Sequence, residues 1–203
     1  MGGSPNFVSI KQIVMETILT KQLLEKLENR VDSHLQTVIQ QFQNLKEEDL
    51  LRPSSTGGWS IAQCLAHLNS YGDYYLPEIG VGLAKIPSSP PSDTFKSSWL
   101  GAYFIKMMEP QTGKKKYKAF KGHIPSPTLD AYAVIAEFIQ QQETLLSYLR
   151  RAYSADLNQI KIPISIARFL KLKLGDVFQF MIAHDERHLQ QALRNLRKHS
   201  VLI

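Results

Sequence analysis

An all-α fold, a bundle of four long helices joined by long crossover loops, is what this sequence predicts, and three observations predict it. Apolar residues recur three or four apart through four long stretches, the period of a helix with one buried face. The segments between those stretches are long and carry most of the prolines, which places them outside the helices. No rhythm of strand and helix marks a parallel sheet, and the one strand-like run, "IKIPISI" at 160–166, holds a proline. The 203 residues are expected to form one domain, 1–203, long enough to bury a core.

The elements follow in order. From Lys21 to Leu45 the stripe is Leu24, Leu27, Val31, Leu35, Val38 and Phe42, and residues 7–20 are expected to extend this helix or lead into it. "KEEDLLRPSSTGG" interrupts the pattern with a proline and two glycines. The second helix begins at Ser60, a good N-cap, with Gln63 three residues on to complete a capping box. Its apolar face is Ile61, Leu65, Leu68 and Tyr75, its end is expected near Pro77, and "GLAKIPSSPPSD" follows as loop. A short helix over 97–108 carries Trp99, Tyr103, Phe104 and Met107, an aromatic segment expected to offer a contact to a second copy of the chain. A basic loop, 109–127, leads to Ser126 and Pro127, which read as N-cap and first helical residue of a helix reaching Ala152. That helix points Ala131, Val134, Phe138, Leu145 and Leu149 inward. Residues 154–173 are irregular, a turn or an extended edge, and the last helix spans 174–198.

Composition narrows the function classes. The single cysteine, Cys64, excludes an intrachain disulfide and a four-cysteine zinc site, and its usage fits a reducing cytoplasm. No stretch approaches the roughly 18 consecutive apolar residues of a membrane span. The N-terminal "MGGSPNFVSIKQ" lacks the charged and apolar regions of a signal peptide. A net charge of +6 and a pI of about 9.3 permit contact with nucleic acid. The basic residues are nevertheless scattered, apart from "KKKYK" at 114–118, and a solvated loop is the expectation there.

Chemistry concentrates in "HDERH", 184–188. In the last helix Val177, Phe180, Met181, His184, His188, Gln191 and Asn195 follow one another at spacings of three or four, so an apolar stripe runs directly into two histidines. A solvated face would place them opposite Phe180 and Met181. Histidines at i and i+4 lie one turn apart, within reach of a single ion. The best third ligand is His67 in "WSIAQCLAHLNSY", one turn after Cys64 and beside the apolar face of the second helix. The bland alternative for each is a core histidine satisfied by a hydrogen bond. His34, among polar neighbours on the first helix, His123 in the basic loop and His199 near the terminus are less suitable. The zinc-protease motif fails, because Asp185 stands where its glutamate belongs and His199 is eleven residues beyond His188.

"GWSIAQCLAHL", followed much later by "FMIAHDERHLQQALRNL", resembles the DinB-like metal-binding superfamily, and the resemblance covers about residues 20–198, including "KAFKGHIPSPTLD". It implies a bacterial-type four-helix bundle whose divalent transition ion, commonly nickel or zinc, is held by His67, His184 and His188, the three histidines that periodicity also selects. Imidazole suits either metal, and iron or copper as well.

Three protein ligands leave coordination positions open, the pattern of a catalytic site, where a water or a thiol gives up its proton near neutral pH. The resemblance therefore implies a metal-dependent hydrolase, or an S-transferase using a low-molecular-weight thiol cosubstrate, acting on a small molecule in the cytoplasm. The competing class is a non-catalytic metal- or small-ligand-binding stress-response protein. Tyr71, four residues after His67, offers a phenol but reads first as a core tyrosine, and Cys64 reads as a packing residue. Asp185 and Glu186 read as solvated charge, pairing with Arg187 or Lys198. Thr112 to Lys118 is a candidate clamp for an anionic thiol, with a plain solvated loop as its alternative.

Overall fold

The structure is a computed structural model, and it describes residues 16–55, 57–85, 90–110 and 118–200, with the side chains of 197–200 left out. The "MGGS" start and Thr112 to Tyr117 lie outside the described residues, as does the side chain of Lys198.

Four long helices make the bundle: α1 (Thr20–Gln41), α3 (Ile61–Leu83), α5 (Ala131–Arg151) and α6 (Leu174–Ser200). Two shorter ones, α2 (Glu47–Leu51) and α4 (Trp99–Met108), sit in the connections. Helices α1 and α3 each pack against both α5 and α6, and α4 lies on α6. None of the helices described is long and apolar enough to cross a membrane.

The predicted stripes are the buried faces. Leu24, Leu27, Val31, Val38, Leu65, Phe138, Leu145, Leu149 and Val177 are all essentially inaccessible, while Leu35 is half-buried. These residues fall into two apolar clusters. Between them runs a layer of buried polar side chains to which every long helix contributes. On α1 His34 separates Val31 from Val38, and on α5 Gln142 separates Phe138 from Leu145. On α3 His67 adjoins Leu68 and precedes Tyr71, and on α6 His184 and Asp185 separate Ile182 from Leu189. This layer positions the site.

The long helices start as the sequence predicts with one exception, whereas the stretch expected only to interrupt the pattern also holds the short helix α2. Ser60 caps α3 in a complete capping box, its hydroxyl accepting from the Gln63 N–H at 3.1 Å while Gln63 Oε1 accepts from the Ser60 N–H at 3.0 Å. Replacing Ser60 by alanine is expected to cost about 1 kcal/mol in urea denaturation, and glycine only a few tenths. At α5 the expected cap is wrong. Asp130 caps it, accepting from Ala133 N–H at 2.9 Å, whereas Ser126 accepts from Thr128 N–H two residues on. A carboxylate at the positive end of a helix outcompetes a serine that already closes a local turn.

Pro77 does not end α3, which continues to Leu83. Leu76 and Ile79 on either side of it are buried, and their packing offsets the roughly 3 kcal/mol a proline costs inside a helix. Of residues 7–20, expected to extend the first helix or lead into it, 7–15 lie outside the described residues, and Thr17–Leu19 lead into α1 as a short strand, β1, antiparallel to β2 (Thr94–Lys96), with Ile18 opposite Phe95. The irregular stretch before α6 is a hairpin of β3 (Lys161–Ile164) and β4 (Ala167–Lys173), whose register shifts between Pro163 and Ile164. A proline is tolerated beside such an irregularity. Trp99 and Tyr103 on α4 are 65% and 48% exposed.

Candidate metal centre

The polar layer brings together the three histidines singled out by spacing. His67 on α3 and His184 and His188 on α6 place one nitrogen each so that all three lie within 4.8 Å of one another. The ring centroids stand 4.7–5.0 Å apart, and the planes are steeply tilted, at 69°, 76° and 87°. His67 Nε2 and His184 Nε2 are 3.2 Å apart. Among the described residues no carboxylate or thiol joins this group.

Local hydrogen bonds decide which nitrogens are presented. His67 Nδ1 lies 2.6 Å from the carbonyl oxygen of His123, which can only accept, so Nδ1 carries the proton and Nε2 is bare. His188 Nδ1 lies 3.1 Å from Gln191 Oε1, which likewise accepts and leaves His188 Nε2 bare. Gln191 is one turn beyond His188 on the same helix, so the two positions of the inward stripe form one unit.

Aromatic rings enclose the group. Trp59, immediately before the α3 cap, lies 4.8 Å from the His67 ring and 5.7 Å from that of His188. The capping box fixes this entry, and Gly57, at φ +75°, makes the turn before it without Cβ strain. Tyr71 meets the edge of His184 at 4.6 Å, and Phe180 stacks near it at 5.8 Å. His67 and His184 are buried and His188 is half-buried. Burial therefore disfavours the imidazolium forms: it lowers His67 to about 4 and His188 to about 3, and holds His184 well below its usual range. The positive charge of Arg187 adds to the effect at His184 and His188. Three neutral imidazoles with converging nitrogens are a donor set that fits a divalent transition ion.

The other candidates divide. Cys64 is fully buried, and burial pushes its thiol up to about 12, so it remains a protonated packing group. Burial likewise pushes the Tyr71 phenol up to about 12. The reading of Asp185 as solvated charge is overturned. It is 6% exposed, accepts from Gln142 Nε2 at 2.9 Å, and burial raises its carboxyl to about 7. Glu186 pairs with Arg30 at 2.6 Å, and Arg30 also reaches Glu109 at 3.1 Å. His34, set aside for its polar neighbours, is only 5% exposed. A groove of about 660 Å³ between α1 and α6, lined among others by Asn29, Arg30, His34 and Gln190, includes none of the three clustered histidines.

Two residues at this centre were not picked out by spacing. Trp59 had a signal in the sequence, its place directly before a complete capping box. His123 sits in the one-turn helix Lys121–His123 and had none, since an irregular segment carries no period.

A sequence model of the DinB superfamily matches residues 30–192. No curated protein sequence matches the chain. Among solved structures the chain is similar to YfiT from Bacillus subtilis, with a TM-score of 0.53 at 14% identity over 98% of this chain and 95% of that one. YfiT is described as a probable metal-dependent hydrolase with an unusual four-helix bundle topology. At that identity the likeness concerns the fold.

Proposed function

The chain belongs to the DinB superfamily, and from that premise we propose that it is a divalent-metal-dependent enzyme acting on a small molecule, with His67, His184 and His188 as ligands. The observation that carries this reading is the convergence of one ring nitrogen from each of three histidines within 4.8 Å, on two packed helices. Hydrolysis is the leading reaction, and S-transfer from a low-molecular-weight thiol is the alternative that the same site supports. Nickel or zinc is the proposed metal.

When bound there, such an ion supplies Lewis acidity that makes a water or thiol available in deprotonated form near neutral pH. The chain's own residues do the rest. The His123 carbonyl and Gln191 hold two rings with Nε2 inward. Trp59, Tyr71 and Phe180 keep bulk water from the imidazoles, and the Tyr71 phenol stays protonated as a hydrogen-bond donor at neutral pH.

Metal content by plasma mass spectrometry tests the ligand set. Wild-type protein is expected to carry about one ion per chain and His184→Ala none, with helicity unchanged by circular dichroism. Ester and thiol substrates screened before and after chelation then test the enzyme reading: activity should vanish with the ion and return with it. Wild-type protein that stays empty after incubation with zinc, nickel, iron and manganese salts would return the histidines to the core and end the proposal. An ion that binds reversibly, without turnover of any substrate class, would favour the non-catalytic binding protein.

A further inference from the structure

We propose that His123 is a positioning residue for the metal centre, a latch that holds its own carbonyl against His67 Nδ1 and so keeps His67 Nε2 aimed at the ion; the inference rests on His67 being a ligand. Three contacts anchor the latch. The carbonyl lies 2.6 Å from His67 Nδ1. The His123 ring stacks on Tyr71 at 3.9 Å and 23°. Its Nδ1 lies 2.9 Å from Ser70 Oγ.

Proton accounting fixes the direction of the last bond. Ser70 has one hydroxyl proton, and it goes to the His67 carbonyl oxygen at 2.7 Å. The bond with His123 must then run from His123 Nδ1–H to the Ser70 oxygen. Ser70 and Tyr71 are the third and fourth residues after His67, on the same turn of α3. One helix turn thus carries the ligand and both side chains that grip the loop supplying its hydrogen-bond partner. His123 itself is not one of the three converging histidines. An acceptor on the far nitrogen of a metal-bound histidine sets its tautomer and ring orientation, and losing one typically weakens metal binding by about 10–100-fold.

The probes are zinc, with affinity read by competition against a chromophoric chelator, and cobalt(II), read by its visible absorption. His123→Ala and Ser70→Ala are each expected to weaken zinc binding by about 10-fold and to alter the cobalt spectrum, with helicity and thermal unfolding nearly unchanged. His123→Asn, which keeps an N–H donor where Nδ1 stands, is expected to bind within about threefold of wild type. Unchanged affinity and spectrum in both alanine variants would overturn the latch while leaving the ligand set intact. Near-complete loss of metal in His123→Ala, not rescued by His123→Asn, would make His123 a ligand and overturn the positioning role. A wild-type protein that binds neither metal would remove the ligand set itself, and the latch with it.

Discussion

Unfolding free energy measured in chelator is expected to fall by about 4 kcal/mol per pH unit around pH 5.5, so that the bundle unfolds in mild acid. The cause is the polar layer. Burial lowers His34 and His188 to about 3 and His67 to about 4, and holds His184 well below its usual range. A histidine whose folded pKa is depressed takes a proton on unfolding, so its contribution is complete above about 6.5 and is lost as pH falls toward the folded value. Asp185 acts in the opposite sense. Its carboxyl rises from 3.8 to about 7, so the folded chain holds a proton that the unfolded chain has released. That favours folding increasingly as pH falls from about 7 to about 4. Four histidines against one carboxyl leave a net uptake of about three protons on unfolding near pH 5.5, hence the slope. Urea denaturation followed by circular dichroism between pH 5 and 7 measures it. His34→Gln removes one titrating group outside the histidine cluster and should lower the slope by about one proton. A slope below one proton in the wild type would mean that the layer is hydrated and its histidines are not held neutral.

The same layer shows how far the sequence could be read. Helix period alone reveals that His184 and His188 continue the stripe of Val177, Phe180 and Met181, because the phase of one helix is a local property. Which residues face Asp185 is not local. Its partner Gln142 comes from α5, 43 residues earlier, and Arg30, whose charge opposes its rise in pKa, comes from α1. A polar residue on a periodic helix reads as solvated until the rotation of its neighbours is known. His123 was missed for a different reason. Its place depends on Ser70 and Tyr71, more than 50 residues away, which reach into a segment without any repeat. The cap of α5 was misplaced because Ser126 and Asp130 are both good caps, and only the helix phase chooses between them. Strands β1 and β2 are three residues each, too short for alternation to register, and their pairing closes a long excursion from residue 19 to residue 94.

Gly101→Ala is expected to destabilise the protein by about 3–5 kcal/mol, although alanine in a helix interior ordinarily improves on glycine by about 1 kcal/mol. The sign is set by Asp176. A Cβ at position 101 would collide with the Asp176 carboxyl group, which is fully buried in the first turn of α6. That carboxylate cannot move freely. Its Oδ2 accepts from the Ser98 N–H at 3.0 Å and from the Ser98 hydroxyl at 2.7 Å, while the Ser98 oxygen accepts from Gly101 N–H at 3.0 Å as the cap of α4. Displacing Asp176 therefore uncaps α4, strips a buried charge of its partners and removes an acid from the positive end of α6. Asp176→Gly should also destabilise, by about 3–4 kcal/mol, since the Ser98 donors lose their acceptor and glycine weakens the first turn of α6. The double variant distinguishes collision from propensity. With glycine at 176, the carboxyl group and also the Cβ that would stand 2.6 Å from the added methyl group are gone, and alanine at 101 regains its helical advantage. The double variant is then expected to be about as stable as Asp176→Gly alone, which makes the two changes strongly non-additive in urea denaturation. Additive losses, or a stabilising Gly101→Ala, would mean that α4 is not pinned to α6 through this carboxylate. Phe104 on α4 would then lean on Phe180, 6.2 Å away, by apolar packing alone.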